Sequence, residues 1–200
     1  MTVIIGLTGG IASGKSTVSR MLKERGFPII DADVAAREVV NPGQKALEEI
    51  KAAFGREVIQ PDGMLDRAKL GAIVFHDEDK RKILNGIVHP AVRSWMNGKK
   101  EEYIQKGSNT IILDIPLLFE SKLTYMADKV LLVYVDEKTQ LQRLMERNGL
   151  SESEASARIQ SQMPLKQKVE LADAVIDNNE TLDHTESQLA EILEGWNLIP

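Results

Sequence analysis

The chain has 200 residues, a formal net charge of −5, 42% apolar residues and no cysteine. That length buries a full core and suits one α/β domain spanning 1–200, with room for an inserted subdomain. The missing thiols exclude disulfides, thiolate metal sites and a catalytic cysteine, and they fit a reducing cytoplasm. No run approaches the ~20 apolar residues of a membrane span, no basic segment precedes an apolar stretch at the N-terminus, and the acidic balance speaks against nucleic acid as a partner. The first predicted element is a short apolar strand, Val3 to Leu7, followed by Gly9-Gly10-Ile11-Ala12-Ser13-Gly14-Lys15-Ser16-Thr17. Gly9, Gly14, Lys15 and Ser16 fit the G-x-x-x-x-G-K-[ST] pattern. Val18, Met21 and Leu22 then fall at helical spacing. A loop between a buried strand and a helix N-terminus can hold a triphosphate on free backbone N–H groups at the positive end of the helix dipole. Lys15 can reach the β- and γ-phosphates, and the Ser16 hydroxyl can ligate Mg²⁺. ATP and Mg²⁺ are the cofactors this loop leads one to expect.

Phe27 to Asp31 reads as a second strand, behind a helix closed by Gly26. It ends in Asp31-Ala32-Asp33, and the carboxyl ends of parallel strands line the ligand crevice of an open sheet. Asp31 reads as the cap of a helix from Ala32 to Val40. Asp33 reads as a functional acid facing the phosphate loop. From about 44 to 106 no strong strand is predicted. Apolar residues recur at helical spacing, at Leu47, Ile50 and Phe54, then Leu70, Ile73 and Val74, then Ile83, Leu84, Ile87 and Val88. Asp66 is a predicted N-cap. Pro90 is expected in the first turn of a helix running toward Ile104, so His89 is either a cap or a pocket residue. This block reads as an inserted helical subdomain for the acceptor.

Two continuous apolar runs, Thr110 to Ile115 and Lys129 to Val135, fit parallel strands covered on both faces. Asp114 occupies the place of the second acid of phosphate-loop enzymes, which holds Mg²⁺ directly or through water. Ile115 follows it where water-activating ATPases often carry glutamate, which leans away from ATP hydrolysis as the purpose. The segment Pro116 to Glu120 is either ordinary core or one wall of an acceptor pocket. Lys138 to Arg147 is a predicted helix ended by Gly149. Arg143 and Arg147 share one of its faces. That face is either solvated and paired with Glu146, Glu152 and Glu154, or part of a mobile lid, about 138–165, that brings guanidinium groups onto the nucleotide. Ser151 with Glu154 predicts a capping box, and Pro164 an interruption. Ala174 to Asp177 is a last strand, and Thr181 to Trp196 a closing helix. Strands alternating with helices predict a parallel sheet flanked by helices.

These segments together resemble the dephospho-coenzyme A kinase family, nearly end to end. The resemblance is carried by Ile5 to Ile11, Asp31-Ala32-Asp33 with Ala36-Arg37, His89-Pro90, Asp114 to Glu120, the Arg143/Arg147 helix, Arg158 to Gln162 and Ala172 to Asn179. It implies a P-loop kinase fold with an inserted acceptor domain and a lid. The activity it implies is transfer of the ATP γ-phosphate to the ribose 3′-hydroxyl of dephospho-CoA. By the same resemblance the amides from Gly10 through Ile11, Ala12, Ser13, Gly14, Lys15, Ser16 and Thr17 should hold ATP, with Arg143 and Arg147 closing over it. Ser16 and Asp114 should place Mg²⁺. Lys15, Asp33 and Arg143 should carry catalysis, Asp33 by receiving or orienting the hydroxyl proton. Thr8, Asp33, Arg37, His89, Leu117 and Phe119 should touch the acceptor. Ala12 stands where the family usually has glycine, at an unconstrained position of the pattern. Another small-molecule kinase would differ only in its acceptor. A GTPase is disfavoured, because no Asn-Lys-x-Asp segment follows the fourth strand.

Overall fold

The computed structural model describes residues 2–200. In chain order the elements are β1 (Val3–Gly9), α1 (Lys15–Glu24), β2 (Ile29–Asp31), α2 (Ala32–Glu38), α3 (Lys45–Phe54), α4 (Arg67–Phe75), α5 (Glu78–Gln105), β3 (Thr110–Asp114), β4 (Lys129–Tyr134), α6 (Glu137–Asn148), α7 (Glu152–Gln160), α8 (Leu165–Val169), β5 (Ala174–Asp177) and α9 (Leu182–Gly195). The strands form one five-stranded sheet in the order β2-β3-β1-β4-β5. β1 runs parallel to β3 on one side and to β4 on the other, and β4 runs parallel to β5. The strand that feeds the phosphate loop is therefore central. Ligands of open α/β sheets bind where the connections diverge to either side of such a strand. The register sets Leu7 beside Asp114 and Gly9 beside Val133.

The chain divides into two compact units, residues 2–30 with Tyr103–Pro200, and Asp31–Glu102. In the first, all five residues of β3 are buried, as its unbroken apolar run requires. Ile5, Leu7, Ile112, Leu131, Val133 and Ile176 from the sheet pack with Val18 and Leu22 of α1 and Leu189 and Leu193 of α9. β2 is shorter than the predicted Phe27 to Asp31. Phe27 fills the core, and the Pro28 carbonyl accepts from Ile112 N–H at 2.9 Å, but proline has no N–H to extend the ladder. The ends of α6 to α8 follow local chemistry: Gly149 turns left-handed at φ 63°, both halves of the Ser151/Glu154 capping box form, and Pro164 stands between α7 and α8.

In the second unit Val39, Val40, Ala46, Ile50, Phe54, Val58 and Leu70 form a separate core. The predicted helix from Ala32 stops at Glu38, because Val39 and Val40 turn into that core. Pro90 corrects the sequence expectation. It does not open a helix but lies inside α5, a continuous helix of 28 residues, and His89 is mid-helix rather than a cap. Proline inside a helix loses one hydrogen bond and costs ~3 kcal/mol or more. Here Ile87, Val88, Ala91, Val92 and Trp95 pack on the core on both sides of it. The Gly86 carbonyl that proline leaves without a donor lies on an exposed stretch.

Candidate active site

The phosphate loop is held in shape from behind. Gly9 and Gly14 are required where they stand: a Cβ on Gly9 would lie 2.5 Å from Ser13 Oγ, and one on Gly14, at φ +88°, 2.0 Å from Asn178 Nδ2. Successive peptide planes each have a fixed partner. Lys168 Nζ donates to the Gly9 carbonyl at 2.8 Å, Ile11 N–H to Gln162 Oε1 at 2.8 Å, Gln140 Nε2 to the Ile11 carbonyl at 2.9 Å, and Asn178 Nδ2 to the Ser13 carbonyl at 2.8 Å. Within the loop Ser13 N–H donates to the Gly10 carbonyl at 3.1 Å and Gly10 N–H to Ser13 Oγ at 3.2 Å. Gly14 is the N-cap of α1. The Lys15 and Ser16 amides at the start of the helix have no intrahelical acceptor, and with the helix dipole they form an anion seat; the Thr17 N–H already donates to the Gly14 carbonyl at 2.9 Å.

Lys15 Nζ is ion-paired with Asp114 Oδ1, and only 4% of the Asp114 side chain is exposed. The pair sits at the carboxyl ends of β1 and β3. Ser16 is exposed in the first turn of α1. The hydroxyl of Ser16 and the carboxylate of Asp114 are hard oxygen donors. Among the described residues no group of three or more His, Cys, Asp or Glu is placed to hold a metal. A small donor set suits Mg²⁺, which keeps several waters and takes substrate phosphate oxygens beside one or two protein ligands.

Arg143 is half-buried, and its Nη1 donates to the Asn178 carbonyl at 2.9 Å. It thereby joins the ring behind the loop through Asn178. Arg147, one turn on, is exposed and bonds its neighbour Asn148, at 2.9 Å. Two carboxylates at the starts of α6 and α7 are held below their usual range, the α6 cap Asp136 and Glu154 of the α7 capping box. For Asp136 the main cause is the Thr139 N–H. For Glu154 it is the Ser151 hydroxyl, then the Ser151 N–H.

The residues expected to touch an acceptor are placed differently from one another. Thr8 is fully buried and donates to the Pro116 carbonyl at 3.1 Å, so it acts on the chain just past Asp114 rather than at an open surface. Leu117 is exposed. Phe119 is buried and lines a cavity with Met163 and Leu171, beside Asp128, Lys129 and Asp173 at the amino ends of β4 and β5. The structure does not bring it to Lys15 and Asp114. In the other unit Asp31 Oδ1 accepts from Asp33 N–H at 2.7 Å and Val34 N–H at 3.2 Å. Asp31 therefore does the capping, and the Asp33 carboxylate is exposed. Arg37 lies one turn beyond on α2, and it too is exposed. His89 lines a cavity of about 260 Å³ with Arg67, Asn85, Leu70, Val74 and Val88.

Four residues that shape the loop were not singled out from the sequence. Gln140 had a legible signal, a polar residue four before Leu144 on the buried face of α6. Gln162 and Asn178 lie within segments that carried the family resemblance. Lys168 had no such signal, because a five-residue helix shows no periodicity.

A model of a protein family described as dephospho-CoA kinase matches residues 3–184. A protein of Oceanobacillus iheyensis named dephospho-CoA kinase is 61% identical over 198 residues, covering 99% of this chain and 100% of its own. Among solved structures, TT1252 from Thermus thermophilus superposes with a TM-score of 0.81 at 36% identity, covering 97% of each chain. A dephospho-CoA kinase from Campylobacter jejuni gives 0.76 at 28% identity and 98% of each chain.

Proposed function

The chain belongs to the dephospho-CoA kinase family, and from that premise we propose how its residues divide the work. The enzyme uses ATP to phosphorylate the ribose 3′-hydroxyl of dephospho-CoA, the step that completes coenzyme A. The observation that carries the assignment of roles is Lys15 paired with Asp114 beside a phosphate loop whose planes are fixed from behind. In our reading the nucleotide phosphates seat in the loop from Gly10 to Thr17 on the Lys15 and Ser16 amides, since the Gly10, Ile11, Ser13 and Thr17 amides are bonded within the protein, and Lys15 exchanges its carboxylate partner for the β- and γ-phosphates. Ser16 and Asp114 would hold the Mg²⁺ that the nucleotide carries, and bound there it would offset the charge on the phosphate oxygens.

The acceptor oxygen attacks the γ-phosphorus, its proton passes toward the Asp33 carboxylate, and ADP leaves. Lys15 and Arg143 offset the charge spread over the equatorial oxygens, where most of the catalysis of phosphoryl transfer lies. We assign Arg37, His89 and Leu117 to the acceptor and Thr8 to the support of the segment that carries Leu117. Arg147 extends the nucleotide-side positive charge. The helical stretch 44–106 serves as the acceptor subdomain and 138–165 as the lid, and we place the reaction in the cytoplasm. The reading is tested by following ADP and CoA with and without dephospho-CoA, in Mg²⁺ and in its absence. ATP turnover should rise strongly with the acceptor, with CoA as the product, and collapse when EDTA removes the ion. Equal turnover without acceptor would overturn it.

A further inference from the structure

Lys168 has no part in the roles above, yet it is completely buried. An ammonium in such a place is costly unless it is paired and hydrogen-bonded, so its partners identify its task. Nζ donates to the Gly9 carbonyl at 2.8 Å and is ion-paired with Glu120 Oε1 at 2.8 Å. Glu120 Oε1 also accepts from Met163 N–H at 3.1 Å, and Oε2 is buried without a hydrogen-bond partner. Gly9 is the last residue of β1. The direction of its carbonyl sets the first peptide plane of the loop, whose other end is the Gly10 N–H bonded to Ser13 Oγ. The next planes are held by neutral amides of Gln162, Gln140 and Asn178. Only the first is held by an ion pair, and that pair reaches to the segment six residues past Asp114. Thr8 fastens the same segment at Pro116. The segment after β3 is thus tied to the end of β1 at two points, through Thr8 and through Lys168.

We propose that Lys168, with Glu120 as its counter-ion, is a positioning residue for phosphoryl transfer: it locks the first plane of the phosphate loop and couples the loop to the segment following Asp114. This rests on the kinase reading above. The charge of the ammonium is matched by Glu120, so its contribution is orientation, while attraction for the nucleotide comes from Lys15 and the first turn of α1. A misplacement of about 1 Å at a reacting centre can cost ~10²-fold in rate.

The test uses the full-length enzyme and three variants, Lys168→Met, Glu120→Gln and the double Lys168→Met/Glu120→Met. Thermal midpoint, ATP Kd by calorimetry, kcat and both KM values are measured for each. Lys168→Met should lower kcat/KM for ATP by about 10²-fold and leave the dephospho-CoA KM within about threefold. Glu120→Gln should weaken ATP binding. The double variant removes the unmatched buried charge that either single variant leaves but still strips the Gly9 carbonyl and Met163 N–H of their partners, so it should recover part of the lost thermal stability without regaining turnover. Recovery of both stability and turnover in the double variant would reduce the pair to filler and overturn the proposal. So would full activity in a folded Lys168→Met, or tighter ATP binding in Glu120→Gln, which would show that the ammonium acts by charge. If Lys168→Met does not fold, the double variant decides. If the wild type shows no acceptor-dependent turnover, the kinase reading fails instead, and the ATP Kd series still judges Lys168.

Discussion

Asp31 and Asp33 stand two residues apart, and the backbone gives them different tasks. Asp31 bonds the N–H groups of Asp33 and Val34, whereas the Asp33 carboxylate is exposed and is not the cap. Asp31→Ala should cost ~1 kcal/mol of stability, as lost N-caps do. Asp33→Asn keeps the size and most of the hydrogen bonding but removes the charge. It should lower kcat by ~10² or more if the residue takes the proton, with ATP affinity little changed. A small loss would leave Asp33 an orienting role, and lowered stability with full turnover would withdraw it from the reaction. Ala12, standing where the family usually carries glycine, has φ 60°. A side chain in the left-handed region costs roughly 1–2 kcal/mol, and glycine loses ~0.4–1 kcal/mol through its freer unfolded chain. The first figure is the larger, so Ala12→Gly should be neutral to slightly stabilising and remain active. A clear drop in thermal midpoint would show that the left-handed turn at Ala12 is not strained. Lys15→Met should abolish transfer, by ~10³ or more, because it removes the cation assigned above to the transferring group. An unchanged rate in a folded variant would remove Lys15 from the mechanism.

At the scale of elements, the helices that carry Arg143 and Arg158 begin at Asp136, the α6 cap, and at the Ser151/Glu154 capping box, and the Asp136 and Glu154 carboxylates are each held below their usual range by N–H or O–H donors. A carboxylate whose folded pKa is depressed adds stability that is present above its unfolded pKa and lost as pH falls through the folded one. The starts of α6 and α7 should therefore loosen as pH drops below about 4, and not on the alkaline side. Amide exchange at Thr139 and Glu154, followed against pH, measures this directly. Asp136→Asn keeps a good cap but cannot titrate, so its Thr139 protection should vary less with pH. An unchanged profile would mean that Asp136 does not control that helix end. These caps were legible because they depend on residues three apart. Pro90 was misread for the matching reason. Proline's local rule marks a boundary, and what overrides it is the packing of Ile87, Val88, Ala91 and Trp95 on a core formed by residues dozens of positions away.

At the scale of the whole molecule, the parallel sheet could be read from apolar runs long enough to be covered on both faces, and the nucleotide side of the site from a motif whose chemistry is local. The ring behind the loop could not. Gln140, Gln162, Lys168 and Asn178 meet the loop across more than a hundred positions of sequence, and no spacing rule encodes that. The residues assigned to catalysis are also divided between the units: Lys15, Ser16, Asp114 and Arg143 belong to one, and Asp33, Arg37 and His89 to the other. Binding of ATP should then depend on the first set and use of the acceptor on the second. Arg37→Ala should raise the dephospho-CoA KM by about tenfold or more, as loss of a charge-assisted contact of ~1.5–3 kcal/mol implies, and leave ATP Kd within about twofold. Arg143→Ala should do the reverse of sparing the nucleotide. An arginine acting on the transferring group is worth ~10³–10⁵ in rate, whereas its single bond to the Asn178 carbonyl contributes only about 1.5–3 kcal/mol to folding. Kinetics with each substrate varied in turn separate these effects. If Arg37→Ala weakens ATP binding as much as it weakens use of the acceptor, the division of labour between the two sets is wrong, and Arg37 belongs to the nucleotide.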